Sequence, residues 1–312
     1  MIVTIDPQAR PCPGVEQAVL KTEERLRQNE TIYAIGDLIH NRREVARLED
    51  LGLNVVSEQT LDDSLEKGDL KDKWFLIRAH GERENVIEKA RKAGMKILDA
   101  ACPIVLHSQK IVDDHIKEGW GVIIAGKKTH PEVVGLVSRS RGLATVIDSV
   151  PGSSQEFDNR SVLLAQSTID PDLFDRIRAR LIKKIPGLKV VDTTCRFLQK
   201  RQESIRQFSA EQDIVIHVGG KNSSNGQLLY KTGLQVNERT YHVSACEEVD
   251  SGWFRTGDCV GVTGCASTPR WQLDEMQYYL QNLTIDKNPK GLKNRKGGKF
   301  LWWTRKKTNS TK

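Results

Sequence analysis

Gly94-Met-Lys-Ile-Leu-Asp-Ala-Ala-Cys102 returns 93 residues further on as Gly187-Leu-Lys-Val-Val-Asp-Thr-Thr-Cys195. Glycine, lysine, aspartate and cysteine are identical and the apolar positions are kept, so both stretches read as a strand running into a cysteine. A looser third copy opens the chain, Ile2-Val-Thr-Ile-Asp6 leading to Cys12. The register holds downstream of each cysteine. A glycine stands 24 residues past it, Gly36, Gly126 and Gly219, and a polar residue 28 past it, His40, His130 and Ser223. Each polar residue lies in a loop just after an apolar run: Thr31-Ile-Tyr-Ala-Ile35, Gly121-Val-Ile-Ile-Ala125 or Ile214-Val-Ile-His-Val218. A third landmark repeats less regularly, where Trp74-Phe-Leu-Ile runs into His80, Val162-Leu-Leu-Ala into Gln166-Ser-Thr168, and Val260-Gly-Val into Ser267.

Short apolar strands of this kind suit parallel sheets covered by helices on both faces. The stretches between them read as helices: Val15 to Gln28, Asn85 to Ala93, Val105 to Lys117, Pro171 to Lys184, Gln199 to Ala210 and Trp271 to Leu283. The pattern predicts an α/β fold of three pseudo-threefold-related α/β modules with mainly parallel sheets around one central site. Their bounds are expected at 13–101, 102–194 and 195–285 together with 1–12, followed by a basic tail over 286–312. In open α/β sheets ligands bind beyond the carboxyl ends of the strands, where all the polar landmarks fall.

The net charge of +7 over 312 residues is concentrated at one end. From Asp286 to Lys312 ten Lys or Arg face one Asp, a net +9, which leaves residues 1–285 at −2. The body therefore gives no cause to expect nucleic acid as a partner. The tail, with Leu301-Trp-Trp303 amid its cations, could touch a membrane surface or an acidic partner, or serve only as a solvated arm. No window reaches the roughly 18 apolar residues of a membrane span. The first residues lack a signal peptide's basic start and long apolar run, so a cytoplasmic location is expected. The six cysteines are then expected to be free thiols. None forms a Cys-x-x-Cys pair, which argues against zinc fingers, thioredoxin chemistry and compact ferredoxin motifs.

Any iron-sulfur cluster must therefore be gathered from distant segments, and Cys12, Cys102 and Cys195 occupy the repeat positions. Cys12 and Cys102 precede proline, a residue suited to the first helical position, so each thiol is expected at a helix N-terminus where the dipole favours thiolate. Read singly, each cysteine could be a small buried hydrophobe; their recurrence in three copies favours ligation. Three ligands can hold a 4Fe-4S cluster with one iron free of protein, the open position that substrate activation needs. Cys246, Cys259 and Cys265 break the register and read as structural. Around the cluster the strand-end loops would bring His40, His80, His130, Ser223, Ser224, Asn225 and Ser267, groups able to hold a diphosphate. A three-histidine metal site is the rival reading. Glu132, in Thr129-His-Pro-Glu132, is the carboxylate of these loops and a candidate proton donor, although glutamate also suits a helix start for dipole reasons alone.

At this point the chain resembles the 4-hydroxy-3-methylbut-2-enyl diphosphate reductase family, the terminal reductases of the methylerythritol phosphate route to isoprenoids. The resemblance covers about residues 1–283. It rests on Cys12-Pro-Gly-Val15, Ile39-His-Asn41, Ala79-His-Gly81, Asp99-Ala-Ala-Cys-Pro-Ile-Val105, His130-Pro-Glu-Val133, Gln166-Ser-Thr168, Lys221-Asn-Ser-Ser-Asn225 and Ala266-Ser267. It implies a 4Fe-4S cluster whose apical iron takes the substrate's allylic hydroxyl while the diphosphate lies among the histidines and serines. Glu132 and Ser167 would handle the hydroxyl and its proton, with His130 beside them. Ferredoxin or flavodoxin would deliver two single electrons, and the products would be isopentenyl and dimethylallyl diphosphate.

Three positions depart from the family pattern. Arg10-Pro11 replaces the usual Gly-Phe before Cys12, with Pro13 after it; Arg196-Phe-Leu-Gln-Lys200 replaces an Ala-Thr-Thr-Asn run; and Ser167 replaces threonine. The first change is expected to alter the cluster's surroundings and the second to make a substrate-side patch bulky and basic. Two alternatives follow: a diverged reductase acting on another hydroxylated substrate, or a non-catalytic iron-sulfur sensor, which the presence of Glu132 disfavours.

Overall fold

The structure, a computed structural model, describes residues 1–284; the basic tail of 286–312 lies outside the described residues. The chain opens with β1 (Ile2–Ile5) and α1 (Pro13–Arg27), then runs through β2 (Ile32–Ile35), α2 (Arg42–Glu49), β3 (Leu53–Val56), α3 (Glu58–Glu66), β4 (Trp74–Ile77), α4 (Glu84–Lys92) and β5 (Lys96–Asp99). The next stretch holds α5 (Pro103–Lys117), β6 (Gly121–Ala125), α6 (Pro131–Arg139), β7 (Ala144–Ile147), β8 (Ser161–Ala165), α7 (Pro171–Lys184) and β9 (Lys189–Val190). It closes with α8 (Arg196–Ala210), β10 (Ile214–Val218), α9 (Ser224–Leu234), β11 (Thr240–Val243), β12 (Cys259–Gly264) and α10 (Arg270–Gln281).

These strands make three separate four-stranded sheets of one topology: β3-β2-β4-β5, β7-β6-β8-β9 and β11-β10-β12-β1. Every pairing is parallel. In the last sheet the fourth place is taken by the chain's first strand, because β1 pairs with β12 from Ile2 against Cys259 to Ile5 against Val262. The fourth strand of each sheet therefore leads into a cysteine: β5 into Cys102, β9 into Cys195 and β1 into Cys12.

Burial explains why the apolar runs were readable. The inner strands β8 and β10 are buried at every residue and β6 at all but Gly121, whereas the edge strands β1, β5 and β7 are buried at one residue each. Strands buried on both faces have no polar side to alternate with. Apolar cores lie on both sides of the β2 and β6 sheets. The β10 sheet has a large core on one side and only Ile205, Leu229 and Cys265 on the other.

Two features differ from the sequence reading. The strand leading to Cys195 stops at Val190, because Thr193 replaces the ladder beyond it: its hydroxyl accepts from Ala165 N at 2.9 Å and donates to Ala165 O at 2.6 Å. Helices α2, α3, α6 and α9 are additional. Their apolar stripes are short, α3 burying only Leu61, so side-chain caps carry their starts; Ser57 accepts from Thr60 N at 3.0 Å. Between the first and last sheets the seam is polar. Arg43 holds Glu275 through two contacts of 2.6 and 3.0 Å, Asn41 bonds Gln272 and Ser267 O, and Trp271 donates to Glu44.

Candidate active site

Each repeated cysteine is anchored the same way. Its backbone N–H donates to the loop that follows the third strand of its own sheet: Cys12 to Ala266 O at 3.0 Å, Cys102 to Ala79 O at 2.9 Å and Cys195 to Ser167 O at 2.9 Å. Each is also the N-cap of the next helix, α1, α5 or α8. The three thiols line one cavity. α1 approaches so closely that a Cβ on Gly14 would stand 2.7 Å from Cys102 Sγ, so only glycine fits there.

Their protonation differs from the expectation drawn from the helix dipole. Burial pushes the Cys12 thiol up to about 11, the N–H groups of Val15 and Gly14 pull it down less, and the other two thiols push it further up. Cys102 is likewise raised, again mainly by burial. Desolvation outweighs the helix terminus, because a thiolate loses much of its hydration shell and recovers only a few N–H contacts. Cys12 and Cys102 therefore favour thiolate only beside positive charge.

The histidines gather on the same cavity from two sheets. His40 follows β2, His80 follows β4 and His130 precedes α6; their ring centroids lie 4.1 Å (His40–His80), 5.4 Å (His40–His130) and 5.7 Å (His80–His130) apart. His40 Nε2, His80 Nδ1 and His130 Nε2 are buried without a partner. Burial lowers all three: His40 moderately, His80 well below its ordinary value, and His130 to about 3. The rings are therefore neutral. His130 Nδ1 accepts from Glu132 N at 3.3 Å, so its proton sits on Nε2 and that N–H is a free donor.

Glu132 is 2 % exposed and lines the cavity. Its carboxyl is held by one residue: Ser167 N donates to Oε1 at 2.8 Å and Ser167 Oγ to Oε2 at 2.7 Å. Burial pushes Glu132 up to about 7 against the lowering effect of these two bonds. A carboxyl so poised can hold or release a proton near neutrality.

The serines divide. Ser224 and Asn225, at the start of α9, reach the cavity, with Asn225 Oδ1 fixed by Ala266 N at 3.1 Å. Ser223 is fully buried as the cap of α9, its Oγ accepting from Gly226 N at 3.1 Å, and does not line the cavity. Ser267 is also turned away, its Oγ donating to His40 O at 3.2 Å. The 28-residue register slips by one in the first module, where Asn41 caps α2 and leaves the His40 ring uncommitted. Thr168 lines the cavity too and was missed as a site residue, although it lies in the Gln166-Ser-Thr168 landmark; it accepts from Gln166 Nε2 at 2.7 Å.

A family model described as LytB protein matches residues 3–281. The chain belongs to the LytB family. Among proteins named 4-hydroxy-3-methylbut-2-enyl diphosphate reductase, one from Bacteroides thetaiotaomicron is 34% identical over 91% of this chain and 99% of its own length. Another, from Pelodictyon phaeoclathratiforme, is 33% identical over 86% and 95%. A solved structure of such a reductase, described as the terminal enzyme of the non-mevalonate pathway, is 31% identical and superposes with a TM-score of 0.66 over 91% of this chain and 100% of that one. The Plasmodium falciparum structure, at 24% identity and TM-score 0.79 over 90% and 88%, shares the fold.

Against the LytB pattern, the departures mostly point outward. Arg10 and Pro13 are exposed on either side of Cys12. Within Arg196-Phe-Leu-Gln-Lys200 only Leu198 lines the cavity, while Arg196, Gln199 and Lys200 are exposed. The expected bulky, basic substrate-side patch is thus a single apolar side chain. Helical geometry is the reason: from the cap at Cys195, the residue three positions on faces inward and its neighbours turn away. Cys246 and Cys265 are buried outside the cavity, and Cys259 is half-buried at the start of β12, an inner strand. Among the described residues no three His, Cys, Asp or Glu side chains are spaced to hold a single metal ion, and no helix is long and apolar enough to cross a membrane.

Proposed function

We propose that this LytB chain reductively removes the hydroxyl of 4-hydroxy-3-methylbut-2-enyl diphosphate, giving isopentenyl and dimethylallyl diphosphate. The observation that carries it is one cavity lined by three thiols, three neutral imidazoles with unpaired nitrogens, and a buried carboxyl poised near neutrality. The thiol set fits a 4Fe-4S cluster on Cys12, Cys102 and Cys195: all donors are sulfur, all sit at helix N-termini, and their mutual repulsion is relieved by iron. When bound, that cluster supplies electrons and an iron position without a protein ligand.

The chain's own groups do the rest. His40, His80 and His130 offer N–H donors to the diphosphate, as do the Ser224 and Asn225 side chains and the N-terminus of α9. Ser223 and Ser267 act behind them, one fixing that helix start and the other the His40 backbone. Protonated Glu132 gives its proton to the departing hydroxyl, and Ser167 orients it. The apolar wall of Val15, Val105 and Leu198 keeps water from the reacting end. A ferredoxin or flavodoxin is the electron donor, and the cell's cytoplasm the place of action.

The decisive experiment is anaerobic turnover of the diphosphate with reduced viologen dye. Absence of both isoprenoid products from protein carrying its cluster would exclude this substrate and favour another hydroxylated one. Two further outcomes are expected. Removing the Ser167 hydroxyl takes away a bond that stabilises the Glu132 carboxylate, so Ser167→Ala raises that pKa, and the alkaline fall in kcat moves to higher pH. A limb that stays put or moves down would separate Ser167 from Glu132. Truncation after Asp286 should leave dye-driven specific activity unchanged, since the family match ends at residue 281; a large loss would show that the tail completes the body.

A further inference from the structure

Beside the cysteines, on the outside of the cavity, lies an open groove of about 360 Å³ that no step above uses. Its floor is Pro103, Ile104 and His107 from α5 and Thr194, Arg196 and Phe197 around the start of α8. Pro103 directly follows Cys102 and Arg196 directly follows Cys195, while Ile104 lines both groove and cavity. The groove thus touches the chain neighbours of two of the three thiols.

The charges here are unusual for a helix start. The first turn of α8 has no acidic residue, although the dipole favours one. It carries Arg196, and Lys200 follows four residues on, on the same face. Of the cations on α8, Arg201 pairs with Asp6 and Arg206 with Glu203. Arg196 and Lys200 are exposed and make no hydrogen bond or ion pair among the described residues. At 100° per residue Lys200 projects between the directions of Arg196 and Phe197, both of which line the groove. The groove's own carboxylate, Asp192, accepts at Oδ1 from Thr194 N at 2.9 Å and from Thr194 Oγ1 at 2.6 Å. Asp170 and Asp172 border the face of α8 that carries Gln199 and Gln202, and Glu203, one turn beyond Lys200, is held by Arg206 at 3.1 Å. Arg196, placed against the helix dipole, and Lys200, neither with a side-chain partner among the described residues, are left free to meet an anion from outside.

We infer that the groove between α5 and α8, with Arg196 and Lys200 on its rim, is the docking face for a small acidic one-electron carrier protein. This rests on the reductase reading, which requires electrons to arrive singly at the three thiols. Tunnelling weakens steeply with distance, and this face brings a carrier within one residue of two ligands. Each encounter moves one electron: the carrier is oxidised by one, the cluster reduced by one, and two encounters serve one turnover. Redox encounters of this kind use small interfaces and gain their rate from complementary charge.

The test follows cluster reduction by stopped flow in the full-length, cluster-loaded protein, with a reduced, acidic [2Fe-2S] ferredoxin as probe. Wild type should show a second-order rate that falls as salt is added. Arg196→Glu with Lys200→Glu should lower that rate roughly tenfold or more and flatten its salt dependence, with cluster absorbance and dye-driven turnover unchanged. Arg196→Gln with Lys200→Gln should fall between the two and serves if charge reversal impairs folding. An unchanged ferredoxin rate in either pair overturns the docking face, as does a parallel loss with the dye, which would place these side chains in the site itself. Loss of dye-driven turnover in wild type, with ferredoxin still reducing the cluster in this charge-dependent way, would sink the substrate assignment and leave the docking face standing.

Discussion

Serine in place of any one of Cys12, Cys102 or Cys195 is expected to abolish the iron content and visible absorbance of the anaerobically purified protein, which in wild type should correspond to one 4Fe-4S cluster per chain. The substitution isolates ligation from folding. Each cysteine is a helix N-cap, and serine is among the best residues for that position, so α1, α5 and α8 stay capped and the fold stays whole. What changes is the donor atom: a hydroxyl ionises far less readily than a thiol and binds iron of this kind poorly. The comparison is Cys246→Ser, Cys259→Ser and Cys265→Ser, none of which lines the cavity, and all three should keep the cluster. Circular dichroism and iron analysis on the six variants decide the matter. Absorbance that persists in all of the first three would leave the cluster without its ligands.

The second large effect is at Glu132. Breaking an allylic C–O bond to release water needs a proton as the bond parts, and Glu132 is the carboxyl that lines the cavity. Pushed up to about 7 by burial, the carboxyl is partly protonated at neutrality, and the fraction falls as pH rises. An anionic diphosphate and cluster beside it hold the proton more firmly still. Dye-driven kcat should therefore fall on the alkaline side with an apparent pKa of about 7 or above. Glutamine keeps the shape, its oxygen able to accept from Ser167 N while its NH2 donates to Ser167 Oγ, but has no acidic proton; Glu132→Gln should lower kcat roughly 100-fold or more and erase that limb, with the cluster and substrate affinity retained. His130→Ala should differ in kind, mainly raising KM, because its free Nε2–H is placed for the diphosphate. Near-normal turnover in Glu132→Gln would remove it as the donor.

The two variants together explain why the pair looks alike in sequence and differs in chemistry. His130 and Glu132 share one short segment, yet burial drives the imidazole down to about 3 and the carboxyl up to about 7. Desolvation penalises charge of either sign, so it makes both groups neutral: one a hydrogen-bond donor, the other an acid.

Much of the architecture is legible without coordinates. Parallel strands buried on both faces leave unbroken apolar runs, and three copies of one unit leave the same punctuation at the same spacing, so the three sheets and the strand-end loops could be read directly. The repeat of a cysteine after the fourth strand shows even through the permutation that sends β1 to the β12 edge. Short helices such as α3 and α9 were not legible, because a stripe of one to four buried residues is too brief to show a period.

The site was legible in kind and not in orientation. Loop position says that a residue lies beyond a strand end, while the direction of its side chain depends on which atom the next helix needs as a cap. That competition spends Ser223 and frees Ser224, and in the first module it takes Asn41 and releases His40. The same geometry carries Arg196 and Lys200 out to the surface and leaves Leu198 alone in the cavity. Protonation lay furthest from the sequence. The helix dipole, a local feature, argues for thiolate at Cys12; burial by three converging modules overrides it and is a property of the assembled fold. The repeating sheets and the residue types at their ends follow from the pattern along the chain; which side chains face one another, and how far burial neutralises them, follows from the packing of the three modules.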